Sequence, residues 1–171
     1  MKGKKFIAIL GIFSLAVLSF GLAAIGATSV GVTATVTPQN ISVTVTDGAV
    51  SYGTLDLNTS RDTVAGTDTQ TATNNGNVNE LFYISSSDAI SSTAGTNWNL
   101  EATTGVNQYV HQFSTNSGGS YTNFPANNSN ALIASVGPSL SQPFDLKTTT
   151  PTSTTGYEQR NITVTVLATA L

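Results

Sequence analysis

Hydrophobic and polar positions are arranged in two different ways along this chain. Between residues 6 and 27 apolar residues run on without a charge, behind a start that carries Lys2, Lys4 and Lys5. From residue 30 onward the apolar runs are short and alternate with polar or small residues. Val30, Val32, Ala34 and Val36 are separated by Gly31, Thr33 and Thr35, and Pro38 stops the run. Ile41, Val43 and Val45 are separated by Ser42 and Thr44, and Asp47-Gly48 closes that stretch. Successive side chains of a strand point to opposite faces, so a period of two bounded by Pro, Asn or Gly predicts strand, turn, strand.

The pattern continues to the C-terminus. Tyr52, Leu55 and Leu57 predict a short strand, and residues 64–73 a polar, Thr-rich edge strand. Asn74-Asn75-Gly76-Asn77 then predicts a hairpin turn, because Asn and Gly tolerate positive φ. Residues 81–85 resume the alternation. Trp98, Leu100 and Ala102 share one strand face, and Tyr109, His111 and Phe113 share another. Asn116-Ser117-Gly118-Gly119-Ser120 predicts a turn ahead of Tyr121 and Phe124. Residues 131–136 and 144–148 follow, and Ile162, Val164, Val166 and Ala168 predict the last strand. No stretch after residue 28 keeps a helical period. Short strands at regular spacing predict an all-β chain: one antiparallel β-sandwich domain, Ig-like or jelly-roll, over residues 28–171.

The unbroken run changes the picture of where the protein works. A positive start, an apolar stretch and a close in small residues (Ala23, Ala24, Gly26, Ala27) is the layout of a secretory signal peptide over residues 1–27. An uncleaved membrane anchor is the alternative, since about 20 apolar residues span a bilayer. A pilin-type leader, suggested by Gly3 before Lys4-Lys5-Phe6, lacks the acidic residue expected a few positions into the helix. The chain has no Cys, so neither a lipidated Cys nor a disulfide is available. The expected location is extracellular or the cell surface, with the membrane touched only through the N-terminal segment if it is retained. There is no Leu-Pro-x-Thr-Gly-type motif, so sortase attachment is not expected.

Charge narrows the partners. Without the leader only Arg61, Lys147 and Arg160 remain as Lys or Arg, against nine carboxylates. Three scattered cations build no patch for phosphates, so nucleic acid is excluded as a partner.

Candidate chemistry is sparse. His111 is the only His, sits between aromatics on its strand, and is expected to be a structural residue with a hydrogen-bond partner rather than a catalytic base. Asp56, Asp62 and Asp68 share a loop-rich stretch and are the candidates for calcium, which takes six to eight oxygens, but no Asp-x-Asp-x-Asp-Gly loop is present. No catalytic residue, cofactor or metal ligand is therefore assigned, and the chain is read as non-enzymatic. Trp98 and Tyr121 are the candidate glycan-contact aromatics, although Trp98 alternates in phase with Leu100 as a core residue would. Lys147, with Asp145 on its strand face, is the one Lys that could form an isopeptide cross-link to an Asn. Asn40, Asn58, Asn127 and Asn161 begin N-glycosylation sequons. Finally, the stretch with Val30, Val32, Ala34 and Val36 is either the first strand of its own sheet or an assembly strand freed by cleavage. An arm of that kind can pair with a neighbour's sheet edge.

Val43-Thr44-Val45, Tyr52-Gly53-Thr54-Leu55 and Thr71-Ala72-Thr73-Asn74-Asn75-Gly76, behind the leader, resemble small exported bacterial Ig-like surface proteins. At the level of pattern they are similar to the camelysin and biofilm matrix-fibre group. The resemblance implies a jelly-roll-like sandwich and a structural or filament role through self-assembly or other surface proteins. It carries over no functional residue. The expected function is a secreted structural protein assembling by strand exchange, with a carbohydrate-binding or adhesive module as the alternative.

Overall fold

Val, Thr, Ile and Phe fit a pleated, half-buried surface, and the chain uses them as strands throughout. The computed structural model describes residues 28–124 and 130–171. The leader assigned to residues 1–27, and Asn127 with its sequon, lie outside the described residues. The chain divides into two units, Met1–Val36 and Thr37–Leu171.

Of the first unit, residues 28–36 are described; they take no regular structure and every one of them is exposed. The strand predicted at Val30, Val32, Ala34 and Val36 is thus corrected. Alternation supplies the faces of a strand, but a strand also needs a partner for its backbone groups, and these residues pair with nothing among the described residues.

The second unit begins its strands at β1 (Val43–Thr46) and continues through β2 (Ser60–Asp62), β3 (Gln70–Asn74), β4 (Glu80–Ser86), β5 (Ile90–Ser91) and β6 (Asn99–Leu100). It goes on through β7 (Gln108–Ser114), β8 (Thr122–Asn123), β9 (Asn130–Val136), β10 (Ser141–Thr149), β11 (Arg160–Asn161) and β12 (Val164–Ala170). The larger sheet has the order β1-β3-β10-β7-β6. β2 lies in line with β3 along one side of β10, and β8 pairs with β7. The smaller sheet has the order β12-β4-β9, and β5 pairs with β11 as a two-stranded ribbon. Every pairing between these strands is antiparallel except β6 with β7. The molecule is all-β, as the alternation predicts.

Between the sheets Phe82 and Ile84 of β4 face Tyr109, Phe113, Phe144 and Leu146 of β7 and β10, all buried. Each side chain of this size contributes roughly 1.5–3 kcal/mol by leaving water. The core is closed unevenly. On one side Leu132, Val136 and Phe124 are buried, whereas on the other Val43, Val45, Val164, Val166 and Ala168 are only half-buried although they pack on the same core.

Three local predictions are corrected. Residues 64–73 do not form one edge strand. The Asp62 side chain accepts a 2.8 Å bond from Ala65 N–H and starts a single helical turn, α1 (Thr63–Gly66), which Thr67 ends in the left-handed region at φ 55°. Only β3 remains of the predicted strand, and it is interior, between β1 and β10. The Asn74–Asn77 stretch is not a hairpin either, since it carries the chain from the larger sheet to the smaller. None of its four residues has positive φ. Asn74 instead uses its buried side chain: Nδ2 donates to the carbonyls of Val78 and Val136, and Oδ1 accepts from Gly76 N–H, each at 2.8 Å. Gly76 stands there for space, because a Cβ would overlap the Asn40 carbonyl and Glu80 Oε1. Finally, Tyr52, Leu55 and Leu57 form no strand.

Candidate functional site

The residues with most chemistry meet in the core beside β7. His111 is 1% exposed. Its Nδ1 lies 2.7 Å from Ser86 Oγ and its Nε2 2.9 Å from the Tyr52 hydroxyl. The irregular stretch before β2 places Tyr52, β4 places Ser86, and the alternation of β7 turns His111 inward beside Tyr109 and Phe113. The Phe124 ring lies tilted against the imidazole, its centroid 5.0 Å away. Burial pulls the imidazole down to about 3, so it is neutral at pH 7. A neutral ring has one donor and one acceptor, and the two hydroxyls serve either tautomer. Burial also raises the Tyr52 and Tyr109 phenols, which stay protonated; the Tyr109 hydroxyl donates to the Ser87 carbonyl. Ser86 beside His111 has the spacing of a nucleophile and base. The place of an orienting carboxylate is taken by Tyr52, and the pair is sealed from solvent. Both ring nitrogens of His111 thus have partners inside the core.

The aromatics predicted as glycan contacts each lie beneath a cation. The Trp98 ring is half-buried, with its Nε1 donating to Thr154 Oγ1 at 2.9 Å and the Arg160 guanidinium 5.0 Å from its centroid. The Arg160 side chain is 3% exposed and is held by Glu158 Oε2 at 3.0 Å and the Gly156 carbonyl at 3.2 Å. Tyr121 lies under Lys147, whose Nζ is 5.2 Å from the ring centroid. Burial, together with the carboxylates of Asp62 and Asp145, raises its phenol. Trp98 and Tyr121 belong to separate clusters rather than one platform.

The single Trp makes the first cluster measurable. Arg160→Ala removes a cation–π contact of roughly 1–2 kcal/mol and uncovers the indole. Trp98 emission should shift to longer wavelength and quench more readily with iodide. Unchanged emission would mean that Arg160 does not shield the ring.

The carboxylates are used locally. Asp62 caps α1 and Asp68 accepts from Gln70 Nε2 at 3.1 Å. Asp145, 2% exposed, accepts from Thr63 Oγ1 at 3.1 Å and Thr69 Oγ1 at 2.6 Å. Among the described residues no three His, Cys, Asp or Glu side chains are grouped to hold a metal, so Asp56, Asp62 and Asp68 are not brought together for calcium. A cleft of about 340 Å³ opens between Tyr52, Arg61, Asp62 and Asp68. Its Arg61 donates to the Tyr52 carbonyl at 2.8 Å.

No family model, curated protein or solved structure matches this chain.

Sequence reasoning missed the inner polar contacts. Glu80 is fully buried, with Oε1 accepting from Ser42 N–H at 2.8 Å, and nothing in the alternation marks it as inward. Arg160 over Trp98 also had no local signal, since the two are 62 positions apart. The remaining site is the surface. Val30, Val32 and Val36 are 90%, 91% and 91% exposed, and Leu167 on β12 is 58% exposed. Asn40, Asn58 and Asn161 are exposed as well. Among the described residues no helix is long and apolar enough to cross a membrane.

Proposed function

We propose that this chain is an exported, non-enzymatic structural subunit of a cell surface, matrix or filament. It assembles by lending residues 28–36 to the sheet edge of a neighbouring copy. One observation carries the reading: Val30, Val32, Ala34 and Val36 alternate as a strand does, yet are exposed and pair with no strand among the described residues. Covering one such valine contributes roughly 1.5–3 kcal/mol, and a sheet edge offers main-chain hydrogen bonds besides. Contact of this head-to-tail kind, repeated from copy to copy, makes open filaments.

The leader pattern supports export, and the pattern-level resemblance to matrix-fibre proteins supports a structural role. A glycan-binding role has less behind it, because Arg160 and Lys147 already lie over the two candidate rings. The test is electron microscopy of the protein recovered after export, with size-exclusion chromatography over a concentration series. Filaments or open-ended oligomers that grow with concentration are expected. A monomer at every concentration would contradict the proposal.

A further inference from the structure

The cleft beside α1 has walls that the fold holds in place. The irregular stretch between β1 and β2 gives Ser51 and Tyr52, β2 gives Arg61 and Asp62, and Asp68 follows α1. Gln70, 2% exposed, ties two of these walls together. It accepts from Gly48 N–H at 2.8 Å and donates to the Ala49 carbonyl at 3.3 Å and to Asp68 Oδ1 at 3.1 Å. Tyr52 is fixed at its hydroxyl by His111 and at its carbonyl by Arg61. On the far wall α1 is held through Thr63 Oγ1, which donates to Asp145 Oδ1 and accepts from Leu146 N–H. A cleft formed before its ligand arrives avoids most of the cost of ordering.

Its charged groups do not cancel one another. Among the described residues Arg160 with Glu158 is the one ion pair, so Arg61 pairs with neither Asp62 nor Asp68 although all three line one cleft. Arg61 spends only Nη1 on the fold, and Asp68 spends only Oδ1 of its carboxylate. Asp68 Oδ2, Arg61 Nη2 and the Ser51 hydroxyl make no hydrogen bond among the described residues. A guanidinium only donates and a carboxylate only accepts, whereas a hydroxyl does both. A ligand rich in hydroxyls therefore satisfies both kinds of group without bringing a charge of its own. A cation would meet Arg61, and an anion two carboxylates. A zwitterion gains little by comparison, since a solvent-exposed ion pair contributes only about 0–1 kcal/mol. Arg61 and Ser51 are exposed. The volume of about 340 Å³ lies at the small end of ligand sites, which run roughly 300–1,000 Å³. That suits one sugar ring, with half-buried Val50 and Tyr52 as apolar surface for its C–H face.

We infer that this cleft is a saccharide-binding site for a neutral hexopyranose unit. Arg61 donates to a ring hydroxyl, Asp68 accepts from another, and Ser51 serves as either partner at the rim. The site uses neither Trp98 nor Tyr121, and it works whether or not residues 28–36 assemble the protein.

The test is saturation-transfer-difference NMR on the full chain, with glucose, galactose, mannose and N-acetylglucosamine as probes and glycine as a zwitterion. Saturation transfer to at least one sugar and none to glycine is expected. It should be lost in Arg61→Ala, which removes the donor, and in Ala65→Phe. Ala65 is exposed on α1 and lines the cleft, so a Phe there fills the space and leaves every polar group in place. Should Arg61→Ala fail to fold by circular dichroism, Ala65→Phe alone decides. No transfer to any of the four sugars would overturn the proposal, as would transfer to glycine in their place. Sugar binding that survives in Ala65→Phe but is lost in Trp98→Ala would put the ligand at the indole and overturn the cleft. Binding that survives in both would put it elsewhere and overturn the cleft equally.

Discussion

Deleting residues 28–36 is expected to leave a folded protein that no longer assembles. These residues form no strand, and none of them is buried, so removing them takes nothing from the core and should change stability by no more than about 0.5 kcal/mol. The anchoring of β1 begins later, at Pro38, whose carbonyl accepts from Asn77 Nδ2, at Asn40, whose N–H donates to Asn77 Oδ1, and at Ser42, whose N–H donates to Glu80. Assembly should respond very differently. Loss of four alternating apolar residues and a strand's worth of main-chain hydrogen bonds removes the whole donated element. Thermal melts by circular dichroism and analytical ultracentrifugation separate the two effects. A superimposable melt with sedimentation as a monomer is the expected pair of results. A collapsed melt would restore the first-strand reading, and unchanged filaments would show that assembly uses another surface.

Acid should destabilise the fold through His111. Its imidazole lies near 3 in the folded protein against an ordinary 6.5, and desolvation by burial is the cause. The unfolded chain therefore binds a proton that the folded chain refuses between those two values. The stability from this group is complete above about pH 6.5 and is lost as pH falls toward 3. Each pH unit in that window weakens the folded state about tenfold, roughly 1.4 kcal/mol. The loss reaches about 3 kcal/mol by pH 4, a large share of the 5–15 kcal/mol typical of a domain. The carboxylates titrate in the same range, so the comparison is with His111→Gln, which keeps polar atoms for Ser86 and Tyr52 but does not ionise. Urea midpoints of the two proteins, measured from pH 7 to pH 4, should fall more steeply for the parent. Parallel slopes would mean that the imidazole takes up its proton without unfolding the core.

The fold class was legible because burial imposes a period of two, and β4, β7 and β12 show it directly. Inward Tyr109, His111 and Phe113 follow from spacing alone. What could not be read is whatever depends on a partner distant in sequence. Residues 30–36 alternate as well as β12 does, yet only β12 has a β4 to pair with. Asn74-Asn75-Gly76-Asn77 has hairpin composition, but the buried Asn74 amide and the space taken by Asn40 and Glu80 make it a passage between sheets. Residues 64–73 carry strand-favouring Thr, and Asp62 as an N-cap overrides them locally. The candidate site was legible in part. The alternating segment is visible as a pattern, while the half-buried side of the core, made by Val45 of β1 and Val166 of β12, joins strands over a hundred residues apart and appears only in the folded chain.

Strand donation has a polarity that can be measured. A copy lacking residues 28–36 keeps its sheet edges and can accept a strand, but has none to give, so it should cap growing filaments at one end. Intact protein is mixed with increasing fractions of the deleted form, and filament length is measured by electron microscopy. Donation requires mean length to fall steeply at small fractions of the deleted copy, each filament carrying the deleted copy at one end only. Filaments of undiminished length, or deleted copies distributed along them, would contradict assembly by donation of residues 28–36.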